Sequence, residues 1–233
     1  MIFGLLLFYL LVMDEQILAR YNSPEGLADY SKKFERHWTE RVNNWHEQRL
    51  LRELLSAVPR DPGQGIALDL PCGYGRLYPI VRERAKRVVE GDWSFQLLSA
   101  AQSLQRREPE FGTAAGYVRA TALALPFTDR AFNFVLSVRL CHHIREHSER
   151  TQYVKELMRV ANQWLAFTYF DESSIKNRWH DYRRRYNGKR PKWTLQLSEI
   201  EALSRNQGFK IVRCLWMSRF FSGHRYLLLQ RTR

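Results

Sequence analysis

Residues 66–79, "IALDLPCGYGRLYP", decide the fold. A short apolar run ends in Asp69, and two glycines, Gly73 and Gly75, follow one residue apart. A short apolar run bounded by turn residues indicates a buried strand, and glycine lets the backbone come close to a ligand. In a doubly wound sheet, ligands bind beyond the carboxyl end of such a strand. The stretch therefore predicts a strand, a ligand-binding turn and the start of a helix.

Strand patterns then alternate with helix patterns to the end of the chain. The further strands are predicted at "KRVVEGDW", in "GYVRATALALPF", where the strand runs into a loop, and at "AFNFVLSVRL", "QWLAFTYF", "FKIVRCLWMS" and "HRYLLLQR". Alternation of this kind is typical of a parallel sheet covered by helices, and the last two strands follow each other as a hairpin-like pair. We predict an α/β fold: a doubly wound, Rossmann-like sheet of seven strands, mostly parallel with an antiparallel C-terminal strand, and helices on both faces.

The predicted domain organisation has three parts. Residues 1–13 are an apolar extension, residues 14–59 a helical cap, and residues 60–233 the sheet domain, with a basic insert at 171–193. Within the cap, aromatic and apolar residues recur every three or four positions over residues 25–58, which predicts one long helix. An aromatic stripe at this spacing favours packing in the core over capping of a pocket.

The first 13 residues, "MIFGLLLFYLLVM", are too few to span a membrane as a helix, since a hydrocarbon core is about 30 Å thick. They lack the basic start and the cleavage site of a signal peptide. Three interpretations stay open: a membrane-surface anchor, a helix packed on the domain, or an upstream extension with Met13 as the true start. The last is slightly favoured.

Composition and charge bear on partners and compartment. A formal net charge of +13 favours anionic partners, namely nucleic acid, acidic lipid headgroups or a phosphorylated substrate, although a basic surface without a dedicated partner is the alternative. The cysteines, Cys72, Cys141 and Cys214, are widely spaced and predict neither a zinc site nor a disulfide framework. A reducing, cytoplasmic location is the simplest interpretation, with attachment to the membrane periphery left open.

A second acidic residue stands where the second strand ends. Asp92 lies in "VVEGDWS", and a carboxylate there can accept hydrogen bonds from both hydroxyls of a ribose, with Trp93 against a base. The alternative makes Asp92 a helix cap and Trp93 ordinary packing. Glu90 is a rival acid but falls inside the strand.

Three motifs in this order resemble class I S-adenosylmethionine-dependent methyltransferases of the small-molecule, quinone and lipid type. They are "LDLPCGYGR", "VEGDWS" and "ATALALPFTDRAFNFVLSVRLCHHI", where the family commonly has "LDLGCGTGR", "GVDLS" and "A..LPF.D..FD.V.....HH". The resemblance covers about residues 60–170 specifically and 25–233 loosely by fold. It implies S-adenosylmethionine as cofactor and leaves the acceptor undefined.

The resemblance also implies site residues for the cofactor. The methionine end would lie against the glycine turn, the ribose on Asp92, and the adenine between Trp93 and the loop after the third strand. The implied cofactor-binding residues are Asp69, Pro71, Cys72, Gly73, Gly75, Asp92, Trp93, Thr121, Ala122 and Val138.

Three positions depart from the family pattern. Pro71 replaces a loop glycine, which fixes φ and removes an N–H. Thr121 stands where an aspartate usually accepts from the adenine amino group, so cofactor affinity is expected to be modest. Asn133 replaces the aspartate of "FD", which we interpret as a structural change.

Methyl transfer needs a general base only when the acceptor must lose a proton. The candidate catalytic residues are His142 and His143, directly after the fourth strand, because imidazole titrates near neutrality. The alternative is that either ring merely bonds the loop backbone. Arg139 is a candidate substrate-binding residue that would neutralise an anionic acceptor.

Further substrate-binding candidates lie in the cap and in the insert, namely Tyr30, Trp38 and Arg183. Basic and aromatic residues alternate through the insert, which suits an anionic small-molecule or lipid acceptor, an anionic membrane surface, or single-stranded RNA. A solvated basic loop is the other interpretation.

The sequence therefore predicts a methyltransferase acting on a small-molecule or lipid-like, anionic acceptor. The alternatives are an RNA methyltransferase, which is less favoured because "SVRL" replaces an "NPPY"-like turn, and a non-catalytic protein that keeps the cofactor site. A nicotinamide oxidoreductase comes last, since Tyr78 occupies the place of the third glycine of GxGxxG.

Overall fold

The computed structural model describes residues 37–60, 65–188, 192–218 and 222–232. The apolar segment 1–13, Tyr30 and the first part of the predicted cap helix lie outside the described residues.

Seven strands form one sheet in the order β3-β2-β1-β4-β5-β7-β6. Their bounds are β1 Ile66–Asp69, β2 Arg87–Asp92, β3 Gly116–Arg119, β4 Phe132–Ser137, β5 Ala161–Phe170, β6 Phe209–Trp216 and β7 His224–Arg231. The pairs from β3 through to β5 are parallel, and β7 runs antiparallel between β5 and β6. This confirms the predicted fold class, including the antiparallel C-terminal strand.

Six α-helices lie within the described residues. They are α1 Trp38–Leu55, α2 Tyr78–Arg82, α3 Phe95–Arg107, α4 His147–Val160, α5 Ile175–Asn187 and α6 Leu197–Asn206. No described helix is long and apolar enough to cross a membrane.

Two apolar layers hold the helices to the two faces of the sheet. In one layer, Leu51 and Leu54 of α1 pack with Ile80 of α2 beneath the strands. In the other, Leu157 of α4 and Ile200 of α6 pack on the opposite face. Both faces are thus covered, and ligand access is left to the loops at the carboxyl edge of the strands, where chain order reverses between β1 and β4.

Two local predictions were wrong. The aromatic residues at the start of α1 do not pack in the core, because Trp38, Val42 and Trp45 are 76%, 51% and 60% exposed. Only the second half of α1, with its leucines, is buried against the sheet. The interpretation of the insert as a solvated basic loop was also wrong, because it contains the 13-residue helix α5.

Candidate functional site

The glycine turn after β1 is folded tightly against β2. The Cys72 N–H donates to the Gly91 carbonyl at 2.8 Å, and the Gly75 N–H donates to the Cys72 carbonyl at 3.1 Å. Gly73 and Gly75 have φ values of +59° and +85°. A Cβ on Gly75 would lie 3.3 Å from the Cβ of Ala101 in α3, so helix packing as well as conformation demands glycine there.

Asp92 fixes the end of β2 to this turn. Its Oδ2 accepts from the Gly73 N–H at 3.0 Å, and its Oδ1 accepts from the Ser94 N–H at 2.8 Å. Ser94 in turn caps α3 by accepting from the Leu97 N–H. Burial raises the pKa of Asp92 to about 6, although the backbone N–H groups oppose this shift. Each carboxylate oxygen can still accept a second bond, so the side chain fits a diol.

Asp69 and Glu90 form a pair of buried carboxyls beneath the turn. They face each other in the register of β1 and β2. None of their four oxygens has a hydrogen-bond partner among the described residues. Burial raises the pKa of Asp69 to about 8, with Arg76 opposing and Asp92 adding to the shift. Burial and Asp69 raise the pKa of Glu90 well above its usual range. A carboxyl with free acceptor sites at this turn suits a positively charged or hydrogen-bonding ligand group.

The predicted adenine-side residues lie together at the ends of β2 and β3. The Ala120 N–H donates to the Asp92 carbonyl at 3.1 Å, which holds the loop of Thr121 and Ala122 beside Trp93. The guanidinium of Arg119 lies 5.2 Å from the centre of the Trp93 ring. The Thr121 hydroxyl accepts from the Leu123 N–H at 3.3 Å and keeps a further acceptor site.

Val138 and Arg139 carry the chain away from β4 between the turn and the histidines. Arg139 has a φ of +64°, and its N–H donates to the Thr168 hydroxyl at 2.7 Å. The side chain of Val138 is buried. The left-handed backbone at Arg139 redirects the chain, so that its guanidinium turns towards α1 while the next residues form the 3₁₀ turn Cys141–His143.

That 3₁₀ turn places His142 and His143 in a cluster with two further rings. The His142 ring centre lies 4.1 Å from that of His143, 4.3 Å from that of Phe170 and 5.1 Å from that of His224. We call these four residues the histidine cluster. No group of three or more His, Cys, Asp or Glu in the described part of the chain is arranged to hold a metal ion.

The sequence analysis missed His224, which begins β7 some eighty positions after His142 in the chain. Phe170 and His224 are register partners in the β5–β7 pair. Because β7 inserts antiparallel beside β5, its first residue reaches the carboxyl edge of the parallel strands. The predicted antiparallel strand was the available signal, but the sequence did not place it next to β5.

The electrostatics of the histidine cluster keep the imidazoles of His142 and His224 neutral. Burial, then His143, lowers the pKa of His142 well below its usual range, and Arg139 and Lys192 contribute. Burial and then Arg139 lower the pKa of His224 to about 3. The Lys192 ammonium lies 4.6 Å from the centre of the Phe170 ring. The rings of His142 and His224 therefore experience positive charge from Arg139 and Lys192.

Glu47 of α1 is a second residue that the sequence analysis missed. Its buried carboxylate accepts from Arg139 Nε at 2.7 Å, from Arg76 Nη2 at 2.8 Å and from the Tyr226 hydroxyl at 2.7 Å. Burial raises the pKa of Glu47, but Arg139 and Arg76 outweigh that effect and lower it to about 2. The Glu47 carboxylate thus connects the cap helix to Arg76 of the glycine turn and to Arg139, which lies three residues before His142.

The remaining predicted substrate residues lie apart from these groups. Trp38 lies at the exposed start of α1 and lines a shallow surface cleft with Arg41 and Trp45. Arg183 is exposed on α5. Neither is brought into the histidine cluster.

Comparisons with known proteins bear on the domain and on the fold. Residues 68–163 match the family model described as "Methyltransferase domain". A candidate methyltransferase of Encephalitozoon cuniculi (strain GB-M1) is 28% identical over 150 residues, which cover 63% of this chain and 58% of that protein. The match thus spans somewhat more than half of the length of this curated relative.

Two solved structures share the fold at low sequence identity. Magnesium protoporphyrin IX methyltransferase from Synechocystis PCC 6803, with bound S-adenosylhomocysteine, has a TM-score of 0.75 at 16% identity, covering 94% of this chain and all of that one. The N-methyltransferase NodS from Bradyrhizobium japonicum WM9 has a TM-score of 0.62 at 11% identity, covering 94% and 98%. Residues 68–163 thus match a methyltransferase domain, and the chain shares its fold with these two methyltransferase structures.

Proposed function

We propose that the protein transfers a methyl group from S-adenosylmethionine to a small-molecule, lipid-like and anionic acceptor held at the histidine cluster. The observation that carries the proposal is one chain of contacts. Glu47 binds Arg76 of the glycine turn and Arg139 in front of the histidines. A ligand on the turn and a ligand at the cluster would therefore lie at one edge of the sheet, on two sides of the same buried carboxylate.

The residues at the turn fit the cofactor. Asp92 offers acceptor sites for the ribose hydroxyls, and the oxygens of Asp69 without hydrogen-bond partners suit the amino group at the methionine end of the cofactor. Gly73 and Gly75 let the backbone come close to the cofactor. Trp93, Thr121 and Ala122 would hold the adenine, while Pro71, Cys72 and Val138 would complete the walls. When bound, S-adenosylmethionine supplies a methyl group on a positively charged sulfur.

The chain's own contribution is mainly alignment and exclusion of water. In the transfer, an acceptor lone pair would form the new bond to the methyl carbon while the carbon–sulfur bond broke, with neutral S-adenosylhomocysteine as the leaving group. If the acceptor carries a proton, we assign its removal to His143. His142 is stacked on Phe170 and has a pKa lowered by burial, so it is a weak base and serves as a neutral wall of the site.

The charge around the cluster supports an anionic acceptor. Arg139 and Lys192 both lower the pKa of His142 and of His224, which means that both rings experience positive charge. An anionic group beside Arg139 and Lys192 would relieve that repulsion, and Phe170 offers an apolar surface for a ring or chain.

Formation of S-adenosylhomocysteine from S-adenosylmethionine tests the proposal with a panel of acidic lipids and phenolic acids, and with RNA as counter-screen. We expect turnover with a member of the panel and not with RNA. His143→Gln should lower kcat about 100-fold with a proton-bearing acceptor. The matched control is His46→Gln on α1, which should turn over normally.

The outcomes separate the alternatives. Turnover of RNA alone would favour an RNA methyltransferase. Tight S-adenosylmethionine binding without turnover of any acceptor would favour a non-catalytic cofactor-binding protein.

A further inference from the structure

Helix α5 exposes its apolar face to solvent and buries a polar face, which is the reverse of an ordinary surface helix. The exposed fractions of its large apolar and aromatic residues are 58% for Ile175, 59% for Trp179, 53% for Tyr182 and 79% for Tyr186. A surface helix of a folded domain normally buries this face and exposes its polar one. Four large exposed side chains on one helix mark an interaction surface rather than scattered exposure.

Polar contacts hold α5 to the sheet domain instead. The buried side chain of Asn177 donates from Nδ2 to the Asp171 carbonyl at 2.8 Å and to the Gly223 carbonyl at 3.2 Å. Ser174, at the start of the helix, is also buried and bonds the Ser222 carbonyl. These bonds fix which face points inward, so the exposure of the apolar face is built into the docking of the helix.

The exposed side chains form one continuous ridge, which we call the outer face of α5. Their spacing of four, three and four residues keeps all of them on one side of a helix. The Trp179 and Tyr182 rings are stacked with centres 6.0 Å apart, and the Tyr182 and Tyr186 rings meet edge to face at 5.7 Å. The ridge is therefore an organised apolar surface.

Positive charge accompanies this ridge. The sequence of the helix, "IKNRWHDYRRRYN", has five Lys or Arg residues against one Asp. Asp181 is paired with Arg184, so the excess charge is carried by the other cations. An apolar stripe with tryptophan and tyrosine beside lysine and arginine is the pattern of helices that lie in the headgroup region of anionic bilayers.

We propose that the outer face of α5 docks on the surface of an anionic phospholipid bilayer. Single-stranded RNA also attracts arginine and aromatic rings, but it uses ring faces for stacking with bases. Here the faces of Trp179 and Tyr182 already stack on each other, and Ile175 has no ring to offer. A ridge that includes an aliphatic side chain suits the boundary between the headgroups and the acyl chains of a bilayer better than it suits a nucleic-acid strand.

The position of α5 gives the docking a consequence. The helix follows β5, whose last residue Phe170 stacks on His142, and Lys192 from the end of the insert lies over the same ring. Docking would bring this end of the sheet domain to the headgroups. The docking itself needs no methyl transfer, so it and the proposed activity can fail separately.

Vesicle co-sedimentation of the full chain tests the docking. Vesicles of phosphatidylcholine and phosphatidylglycerol in equal parts are compared with vesicles of phosphatidylcholine alone. We expect retention on the anionic vesicles that falls with added salt. Trp179→Ser should reduce the partition coefficient about tenfold, and Arg178→Glu at least about fivefold.

Trp45→Ser is the matched control, because Trp45 is 60% exposed and Trp179 59%. It should leave the partition coefficient unchanged. Circular dichroism and S-adenosylmethionine affinity report whether each variant is folded. Equal losses for Trp45→Ser and Trp179→Ser, equal retention on neutral vesicles, or no retention would each overturn the proposal. So would tight binding of polyuridine that is lost in Trp179→Ser and competes with vesicles.

Discussion

Glu47 and Asp69 are both fully buried carboxyls at the same edge of the sheet, yet their pKa values shift in opposite directions. Two guanidinium groups and a phenol bond Glu47, and its pKa falls to about 2. Asp69 has no hydrogen-bond partner among the described residues, faces another acid, Glu90, and its pKa rises to about 8. Burial penalises both charges; Arg76 opposes the penalty at Asp69 only in part, whereas Arg139 and Arg76 together outweigh it at Glu47.

This difference in pKa shift distinguishes a carboxylate that holds the fold together from one whose hydrogen-bonding sites are open to a ligand. A carboxylate whose lone pairs are filled by the protein holds elements together, as Glu47 holds α1 to the sheet. A buried carboxyl with unfilled lone pairs costs stability, which is understandable at a site where a bound molecule supplies the missing partner.

The largest expected effect comes from removing the compensated acid. Glu47→Ala would leave Arg76 and Arg139 without their carboxylate in a buried site, and we expect a loss of about 3–5 kcal/mol in the free energy of unfolding. Urea denaturation measures it. Glu53→Ala, an exposed acid on the same helix, should stay within about 0.5 kcal/mol of wild type. A loss below 1 kcal/mol for Glu47→Ala would show that the arginines find water or other partners.

Acid pH should weaken the same contacts. Because the folded pKa of Glu47 is depressed, its contribution is present above the unfolded value of 4.5 and is lost as the pH falls towards about 2. We expect a loss of the order of 3 kcal/mol across that window. Urea midpoints measured from neutral to acid pH should fall steeply for wild type. Glu47→Gln should fall less over this window, and parallel curves would contradict the assignment.

His224 should also make the folded protein less stable in acid, and its effect should begin at a higher pH than that of Glu47. Its folded pKa of about 3 lies below the unfolded value of 6.5, so the unfolded chain gains a proton first as the pH falls. Stability should therefore begin to fall below about pH 6.5, and His224→Phe should delay that onset. NMR titration of the imidazole protons would check this directly. A His224 ring that titrates near its usual pKa would be inconsistent with a buried, neutral cluster.

The smallest expected effect on stability comes from Asp69 and Glu90, the two buried carboxyls without hydrogen-bond partners among the described residues. A carboxyl with a raised folded pKa contributes stability at low pH that is lost as the pH rises from its unfolded value through its folded one. Glu90→Gln mimics the protonated acid, so we expect near-wild-type stability at about pH 5 and a higher stability than wild type at about pH 8. Denaturation at both pH values, with exposed Glu110→Gln as control, measures the difference. A loss at the higher pH would mean that ionised Glu90 has a partner.

The sequence was sufficient to predict the fold and the meeting of the turn residues, because both depend on short-range patterns, whereas the roles of those residues towards the cofactor stay predictions. Asp69 and Asp92 end strands β1 and β2, and Gly73 and Gly75 lie in the turn after β1, so the strand order places them together. His142 and His143 lie in the 3₁₀ turn after β4 at the same edge, but their catalytic role stays a prediction.

Glu47, His224 and the inverted face of α5 depend on long-range packing. Periodicity marks an apolar stripe but does not say which side faces the core, and it therefore misassigned Trp38 and Trp45 while it assigned Leu51 correctly. Glu47 lies 92 positions from Arg139 and 179 from Tyr226 in the chain, and only the packed cap helix joins them.

The most direct test of the proposed function is calorimetric titration of S-adenosylmethionine, and of S-adenosylhomocysteine, into wild type and Asp92→Ala. Glu110→Ala serves as the matched exposed control, and thermal melts confirm that each variant is folded. We expect micromolar binding that weakens at least about tenfold in Asp92→Ala, or about 1.4 kcal/mol, and not in the control. Absence of binding to folded wild type would contradict the cofactor assignment and, with it, the proposed methyl transfer.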